Sequence, residues 1–208
     1  MPAPKTRVAE AERLESLWAG AFGNAYVKRN AGAGGGRDLF WSALLERYPA
    51  SSALEVGCNV GANLQWVVKH IDPTQTYGVD VNEAALERLR RRLPAVNALS
   101  SPARELPFRD RWFDLVFTCG VLIHQPESTL PLVMAEIVRV SRRYVLAVEY
   151  YADETTEVSY RRQRGALFKR DYGRLYQELF PELEPLEQGF LGHDQGWDDA
   201  TWCLFRRR

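Results

Sequence analysis

The stretch Ala53-Leu54-Glu55-Val56-Gly57-Cys58-Asn59-Val60-Gly61-Ala62-Asn63-Leu64 constrains this chain more than any other. A short apolar run enters a glycine turn and leaves as a helix, the way an open α/β sheet begins its ligand-binding carboxyl edge. The next expected strand ends on Asp80, where a carboxylate meets the two hydroxyls of a ribose. The glycine spacing by itself carries little. Joined to Glu55 and Asp80 it implies an adenosine-containing ligand rather than a merely structural strand–turn–helix.

The chemistry of the turn decides which adenosine. In a dinucleotide site the middle glycine lets the backbone approach a pyrophosphate at the helix N-terminus. Here that position is Asn59, whose side chain crowds the approach. Glu55 adds a negative charge at the strand end, which repels phosphate in a partly desolvated crevice. S-adenosylmethionine has no phosphate and carries a sulfonium and an ammonium that a carboxylate attracts. Asn59 also tolerates a left-handed backbone better than most residues, so the turn keeps its shape without the glycine. The expected cofactor is S-adenosylmethionine, bound by Glu55, Gly57, Cys58, Asn59, Gly61, Asp80 and the adjacent Val81. A nicotinamide-dependent oxidoreductase ranks well below it.

Composition fits one α/β domain with additions: 208 residues, 46% hydrophobic and 12% aromatic, enough to bury a core. The 27 basic and 27 acidic residues cancel, and nothing in that balance favours a nucleic-acid backbone as substrate. The basic runs Arg88–Arg92 and Arg206–Arg208 read as a solvated helix face and a frayed end. No apolar run is long enough to span a membrane, and no secretory apolar segment follows Met1. Cys58, Cys119 and Cys203 are widely spaced, so neither disulfides nor a metal site is expected, and a reducing cytoplasm is the simple inference. The expected partner is a small-molecule acceptor, with no nucleic acid or membrane, for a monomer or homodimer.

The rhythm of the chain gives its organisation. Glu10 to Asn30 carries Leu14, Leu17, Trp18, Phe22 and Tyr26 at helical spacing, ahead of the glycine-rich run Ala31–Gly36, expected to be a flexible joint. Residues 1–36 are thus expected to form a helical lid segment and joint, and 37–208 the main domain. A helix from Arg37 to Tyr48 opens that domain, and then strands and helices alternate. Strands are expected at Ala53–Val56, Thr76–Asp80, Ala95–Leu99, Phe113–Thr118 and Tyr144–Tyr150. Helices are expected at Gly61–His70, Glu83–Arg92 (capped by Asn82) and Glu127–Arg139. Regular alternation predicts a doubly wound, mostly parallel sheet. An insertion over residues 151–173 follows, then a helix over Asp171–Leu179 and two closing strands, Leu183–Leu191 and Thr201–Phe205.

Glu55 to Gly61, Asp80, Leu106-Pro107-Phe108 and Phe113-Asp114-Leu115-Val116 resemble the class I S-adenosylmethionine-dependent methyltransferases. Four further stretches are similar to the pseudaminic acid biosynthesis-associated methylases: Phe22 to Asn30, Gly120 to His124, Leu167 to Tyr172 and Asp198 to Trp202. The resemblance implies a seven-stranded Rossmann-like sheet with its last strand antiparallel, and methyl transfer to a small molecule. It also implies an adenine contact in the loop Ser100–Ala103. No acid stands there, which leaves the Ser101 hydroxyl, beside Ala103, for the adenine amino group.

Methyl transfer is an in-line substitution, so proximity and exclusion of water do most of the work. His124, just after the fourth strand, is the candidate base or acceptor-positioning residue. Cys119 and Gly120 are small enough to let the methionine part of the cofactor approach. Tyr26 and Arg29 would close over the site, with Arg29 pairing the cofactor carboxylate. Acceptor contacts are expected from the basic Arg161, Lys169 and Arg170 and from His193 and Asp194 in the later loop. The leading expectation is O- or N-methylation of a small polar metabolite, a sugar-nucleotide or natural-product intermediate. Alternatives are N-methylation of a guanidino or amino group in a peptide-like or nucleoside natural product, and a cofactor-binding protein without activity.

Overall fold

A computed structural model describes residues 4–30, 32 and 34–208. Helices α1 (Pro4–Ala19) and α2 (Ala21–Arg29) precede α3 (Asp38–Arg47). Strand β1 (Ala53–Val56) follows, then α4 (Leu64–Val67), β2 (Thr76–Asp80), α5 (Glu83–Arg92) and β3 (Asn97–Ser100). Next come β4 (Phe113–Cys119), α6 (Leu130–Val140), β5 (Ser141–Glu149), the short pair β6 (Thr156–Glu157) and β7 (Phe168–Lys169), and α7 (Tyr172–Leu179). Strands β8 (Leu183–Leu191) and β9 (Ala200–Arg207) close the chain.

The large sheet has seven strands in the order β3-β2-β1-β4-β5-β9-β8. Strands β1 to β5 pair in parallel, and β9 lies antiparallel to both β5 and β8. This is the expected doubly wound, Rossmann-like α/β fold with an antiparallel last strand. Its central strands are buried on both faces, which is why β4 and β5 read as nearly unbroken apolar runs. Period-2 alternation sends Leu54 and Val56 of β1 into the core under α6 and α7. Ala53 goes to the other core, under α3, α4 and α5, and Glu55 shares its face. That parity points the Glu55 carboxylate toward the segment that holds Asn63 and Arg37.

Several boundaries differ from expectation for local reasons. The single N-terminal helix is broken at Gly20 into two. The helix after the glycine turn shrinks to Leu64–Val67, because Gly61 sits at φ +74 and Trp66 bonds back only three residues, to Asn63. Asn82 does cap α5, its side-chain oxygen accepting from the Ala85 amide. Of the glycine run, Ala31 and Ala33 lie outside the described residues. The described part is not the loose joint expected: a Cβ on Gly34 would stand 2.4 Å from the Ala62 carbonyl oxygen, and the Gly34 carbonyl accepts from Trp66 Nε1 at 2.6 Å. It is a packed turn.

Candidate active site

The carboxyl ends of β1, β2, β4 and β5 open into one cavity of about 390 Å³, roofed by α1 and α2. That is the crevice where open α/β sheets bind ligands. Its floor is the glycine turn. The amides of Gly57 and Cys58 both donate to the Val79 carbonyl, at 2.8 and 2.9 Å, and the Gly61 amide donates to the Cys58 carbonyl at 2.9 Å. Asn59 takes φ +47, the left-handed conformation the sequence asked of it. Gly57, at φ +74, also has no room for a side chain, since a Cβ would stand 2.3 Å from a Val121 methyl.

Asp80 ends β2 with its carboxylate fixed on both sides. Oδ2 accepts from the Asn59 amide at 2.8 Å and Oδ1 from the Asn82 amide at 2.9 Å. Burial raises its pKa against the lowering pull of these amides. Each oxygen keeps a lone pair for a hydroxyl in the cavity. Val81 and Ala103 line the cavity beside it. Ser101 lines it too, but its hydroxyl donates to the Glu105 carbonyl at 2.8 Å, so only the oxygen lone pair remains for an amino group.

Glu55 is almost fully buried. Asn63 Nδ2 donates to Glu55 Oε1 at 2.7 Å, and Arg37 Nη1 donates to Asn63 Oδ1 at 2.8 Å. Glu55 Oε2 is buried and has no partner among the described residues. Burial pushes the carboxyl up to about 8, more than Asn63 and Arg37 bring it down. A buried carboxylate oxygen without a partner suits a cationic ligand, and S-adenosylmethionine supplies one. The donor set fits that cofactor.

Arg37 was not anticipated as a site residue. It is 8% exposed, donates through Nε to the Gly196 carbonyl at 3.0 Å, and lies 4.2 Å over the Trp197 ring. It lines the cavity with a locked guanidinium, where Arg29 lies exposed at the mouth over Tyr26, 5.8 Å from the ring centre. Cys119 and Gly120 line the same end, and burial lifts the Cys119 thiol to about 12, so it is a packing group and no thiolate. Cys58 is likewise buried with its pKa raised.

His124 lies at the far end, in a short 3-10 turn after Gly120. Its Nδ1 contacts the Ala166 carbonyl at 2.5 Å, so Nδ1 carries the hydrogen and Nε2 the lone pair. Burial lowers the imidazole to about 4, and it is neutral at physiological pH. The loop that carries it is held by Glu149, which accepts from the Val121 and Ile123 amides at 3.2 and 3.3 Å. Trp18 packs on the imidazole at 4.3 Å and Tyr160 at 5.7 Å. Asn82 ties this roof to the floor, its Nδ2 donating to the Trp18 carbonyl and to Asn24 Oδ1, both at 2.9 Å.

The expected acceptor contacts divide. Arg161 reaches the cavity mouth. Lys169, Arg170, His193 and Asp194 do not line the cavity. The Lys169 ammonium lies 5.9 Å from the Tyr150 ring centre. Arg170 is turned under the sheet, donating to the Gln125 carbonyl at 3.0 Å, and lines a separate cavity with Glu149 and Phe190. His193 is 72% exposed and 3.4 Å from Asp199, and Asp194 is exposed in the same outer turn. Charge along a sequence does not reveal direction, and here the β7–α7 turn and the β8–β9 connection carry these groups away.

Among solved structures, the Burkholderia thailandensis 1,6-didemethyltoxoflavin-N1-methyltransferase, with bound 1,6-didemethyltoxoflavin and S-adenosylhomocysteine, superposes with a TM-score of 0.73 at 17% identity, over 100% of this chain and 91% of that one. The magnesium protoporphyrin IX methyltransferase of Synechocystis PCC 6803, with bound S-adenosylmethionine, gives 0.69 at 11% identity, over 96% and 97%. The likeness is one of fold: the mostly parallel Rossmann-like α/β sheet with antiparallel C-terminal strands is shared with these two structures. Residues 53–143, the segment holding Glu55, Asp80 and His124, match the methyltransferase domain family. Over 91 residues the chain is 33% identical to the phthiotriol/phenolphthiotriol dimycocerosates methyltransferase of Mycobacterium tuberculosis, which is 43% of this chain. The chain spans about a third of that relative's length, 33%. Among the described residues no helix is long and apolar enough to cross a membrane, and no cluster of metal ligands occurs.

Proposed function

We propose that the chain transfers a methyl group from S-adenosylmethionine to the oxygen or nitrogen of a small-molecule acceptor. The observation that carries this reading is the buried Glu55 Oε2 on the cavity floor, without a partner among the described residues while Asn63, itself held by Arg37, occupies Oε1. A nicotinamide dinucleotide would bring its phosphates against that carboxylate instead. The match over residues 53–143 and the cofactors bound in the structural neighbours support the same donor.

When bound, S-adenosylmethionine supplies an electrophilic methyl group on a sulfonium. The chain's residues do the rest. Asp80, already aimed by two amides, accepts from ribose hydroxyls. Glu55 neutralises positive charge, and the buried Arg37 guanidinium takes the cofactor carboxylate in preference to the exposed Arg29. The α1–α2 roof excludes water. His124 Nε2 receives the acceptor proton.

The four stretches similar to the pseudaminic acid-associated methylases each give the cavity a lining residue: Tyr26, His124, Leu167 and Asp198. That supports a shared acceptor architecture. Of the contacts expected for a sugar-nucleotide acceptor, Arg161 lines the cavity and Lys169 and Arg170 do not; of the later loop, which favours a guanidino or amino acceptor, Asp198 lines it and His193 and Asp194 do not. Calorimetry with S-adenosylmethionine and with NAD tests the reading: binding of the first alone is expected, and binding of NAD alone overturns it.

A further inference from the structure

The acceptor end of the cavity differs in kind from the floor. Trp18 and Tyr160 pack on His124, Tyr26, Tyr150 and Leu167 line the same cavity, and the buried Trp18 Nε1 has no partner among the described residues. Glu15 and Arg104 pair with each other at 2.6 Å, and Asp198, Arg29 and Arg161 stand exposed at the mouth. Trp18 and Tyr160 face one another with ring centres 6.5 Å apart and planes within 28°. Resting on the methyltransferase reading above, we propose that the acceptor is a compact, planar aromatic molecule bearing an acidic hydroxyl, stacked on Trp18 and Tyr160 with that hydroxyl at His124 Nε2.

Three observations carry this. Aromatic walls favour flat, polarisable bodies through face and edge contacts. Among the described residues no buried unpaired charge lines this end for a phosphate, carboxylate or amine, and burying such a group unpaired is costly. Last, the imidazole is a weak base, its pKa lowered to about 4 by burial. Proton transfer to it from an aliphatic alcohol, whose pKa lies near that of water at about 16, is far more uphill than from a phenol at about 10. One cavity of about 390 Å³ serves donor and acceptor together, which favours a small acceptor.

The step balances. The acceptor oxygen forms its bond to the methyl carbon as the carbon–sulfur bond breaks, sulfur keeps the electron pair and loses its positive charge, and the hydroxyl proton passes to His124 Nε2 and then to water.

The test uses the full chain loaded with S-adenosylhomocysteine. 7-Hydroxycoumarin, UDP-glucose and 1-octanol are titrated by calorimetry, and each is then incubated with S-adenosylmethionine and checked for a mass gain of one methyl. The coumarin is expected to bind tightest and to be the one methylated. Trp18→Ala should weaken its binding about five- to tenfold. Tyr160→Ala, at a partly buried ring in the β6–β7 connection, should give a smaller loss, with urea midpoints checking that the variant is folded. His124→Gln should keep coumarin affinity within about twofold while turnover falls by roughly 10² or more. Tighter binding of UDP-glucose or octanol, or coumarin affinity unmoved by both aromatic substitutions, overturns the inference while leaving the donor reading intact. Failure of S-adenosylhomocysteine to bind overturns the donor reading, and the inference with it.

Discussion

The two ends of the cavity are built on opposite principles. The donor end is polar and fixed by backbone: Asp80 holds two amides, and Glu55, Asn63 and Arg37 form a buried chain of hydrogen bonds. The acceptor end is a cluster of rings from three separate segments, joined by contact, by the Nδ1 bond of His124 and by the Asn82 bond to the Trp18 carbonyl. A carboxylate bound to backbone amides keeps its direction, because shifting it would leave buried donors unpaired. Rings packed by area tolerate rearrangement at lower cost.

The largest expected effect strikes the donor end. Asp80→Ala removes the ribose acceptor and both amide anchors, and S-adenosylhomocysteine affinity should fall by roughly 100-fold or more, at about 1.5–3 kcal/mol for each charged hydrogen bond. Calorimetry checks this, and a loss below fivefold would mean that the ribose lies elsewhere. A sharper contrast is between the two arginines. Arg37→Ala should cost about 10- to 50-fold in cofactor affinity and Arg29→Ala less than about threefold, because a buried charge pair outweighs an exposed one. The reverse order would place the cofactor carboxylate at the mouth of the cavity.

The same contrast explains what was legible in the sequence. Glu55, Gly57, Asn59 and Gly61 are contiguous and Asp80 ends the next strand, so the donor turn follows from local pattern. The parallel, doubly wound character of the sheet follows from strand–helix alternation, whereas the strand order comes from the fold itself. Arg37 was hidden because its role depends on Asn63 and on Trp197, which the chain brings to it only by folding. Glu149 reads as one more residue of an apolar strand, and Asn82 as a helix cap alone, although its amide also holds Trp18 and Asn24. Arg170 looked like an acceptor contact from its basic neighbourhood, yet its guanidinium is buried against Gln125 and Tyr172. Hydrophobic period fixes which face a strand residue takes. Nothing comparable fixes the direction of a long charged side chain in a loop.

A smaller, graded effect comes from protons at the donor end. Burial raises Glu55 to about 8, so below that pH the empty site holds a proton that a cationic cofactor must displace. S-adenosylmethionine affinity should therefore rise up to about tenfold per pH unit between about pH 5.5 and 7. Glu55→Gln should flatten that slope and lower the affinity at pH 7. Calorimetry in buffers of different ionisation enthalpy would register the released proton, and an unchanged slope in the variant would assign it to another group.

The smallest effect belongs to the acceptor end and has the opposite sign. Glu55 has a folded pKa above its unfolded value, so its contribution to stability is full in acid and is lost as pH rises through about 8. His124 has a folded pKa of about 4, below the unfolded value of 6.5, so its contribution is full above pH 6.5 and is lost as pH falls toward 4. The shift corresponds to at most about 3 kcal/mol, and because the ring is only half-buried, about 1–2 kcal/mol is expected. Urea midpoints at pH 7 and pH 4.5 measure it. The wild-type chain should lose more stability than His124→Gln over that interval, since the carboxylates of the donor end are common to both. Equal losses would mean that the imidazole titrates normally in the fold, and the acceptor end would then hold an ordinary base, suited to far less acidic hydroxyls.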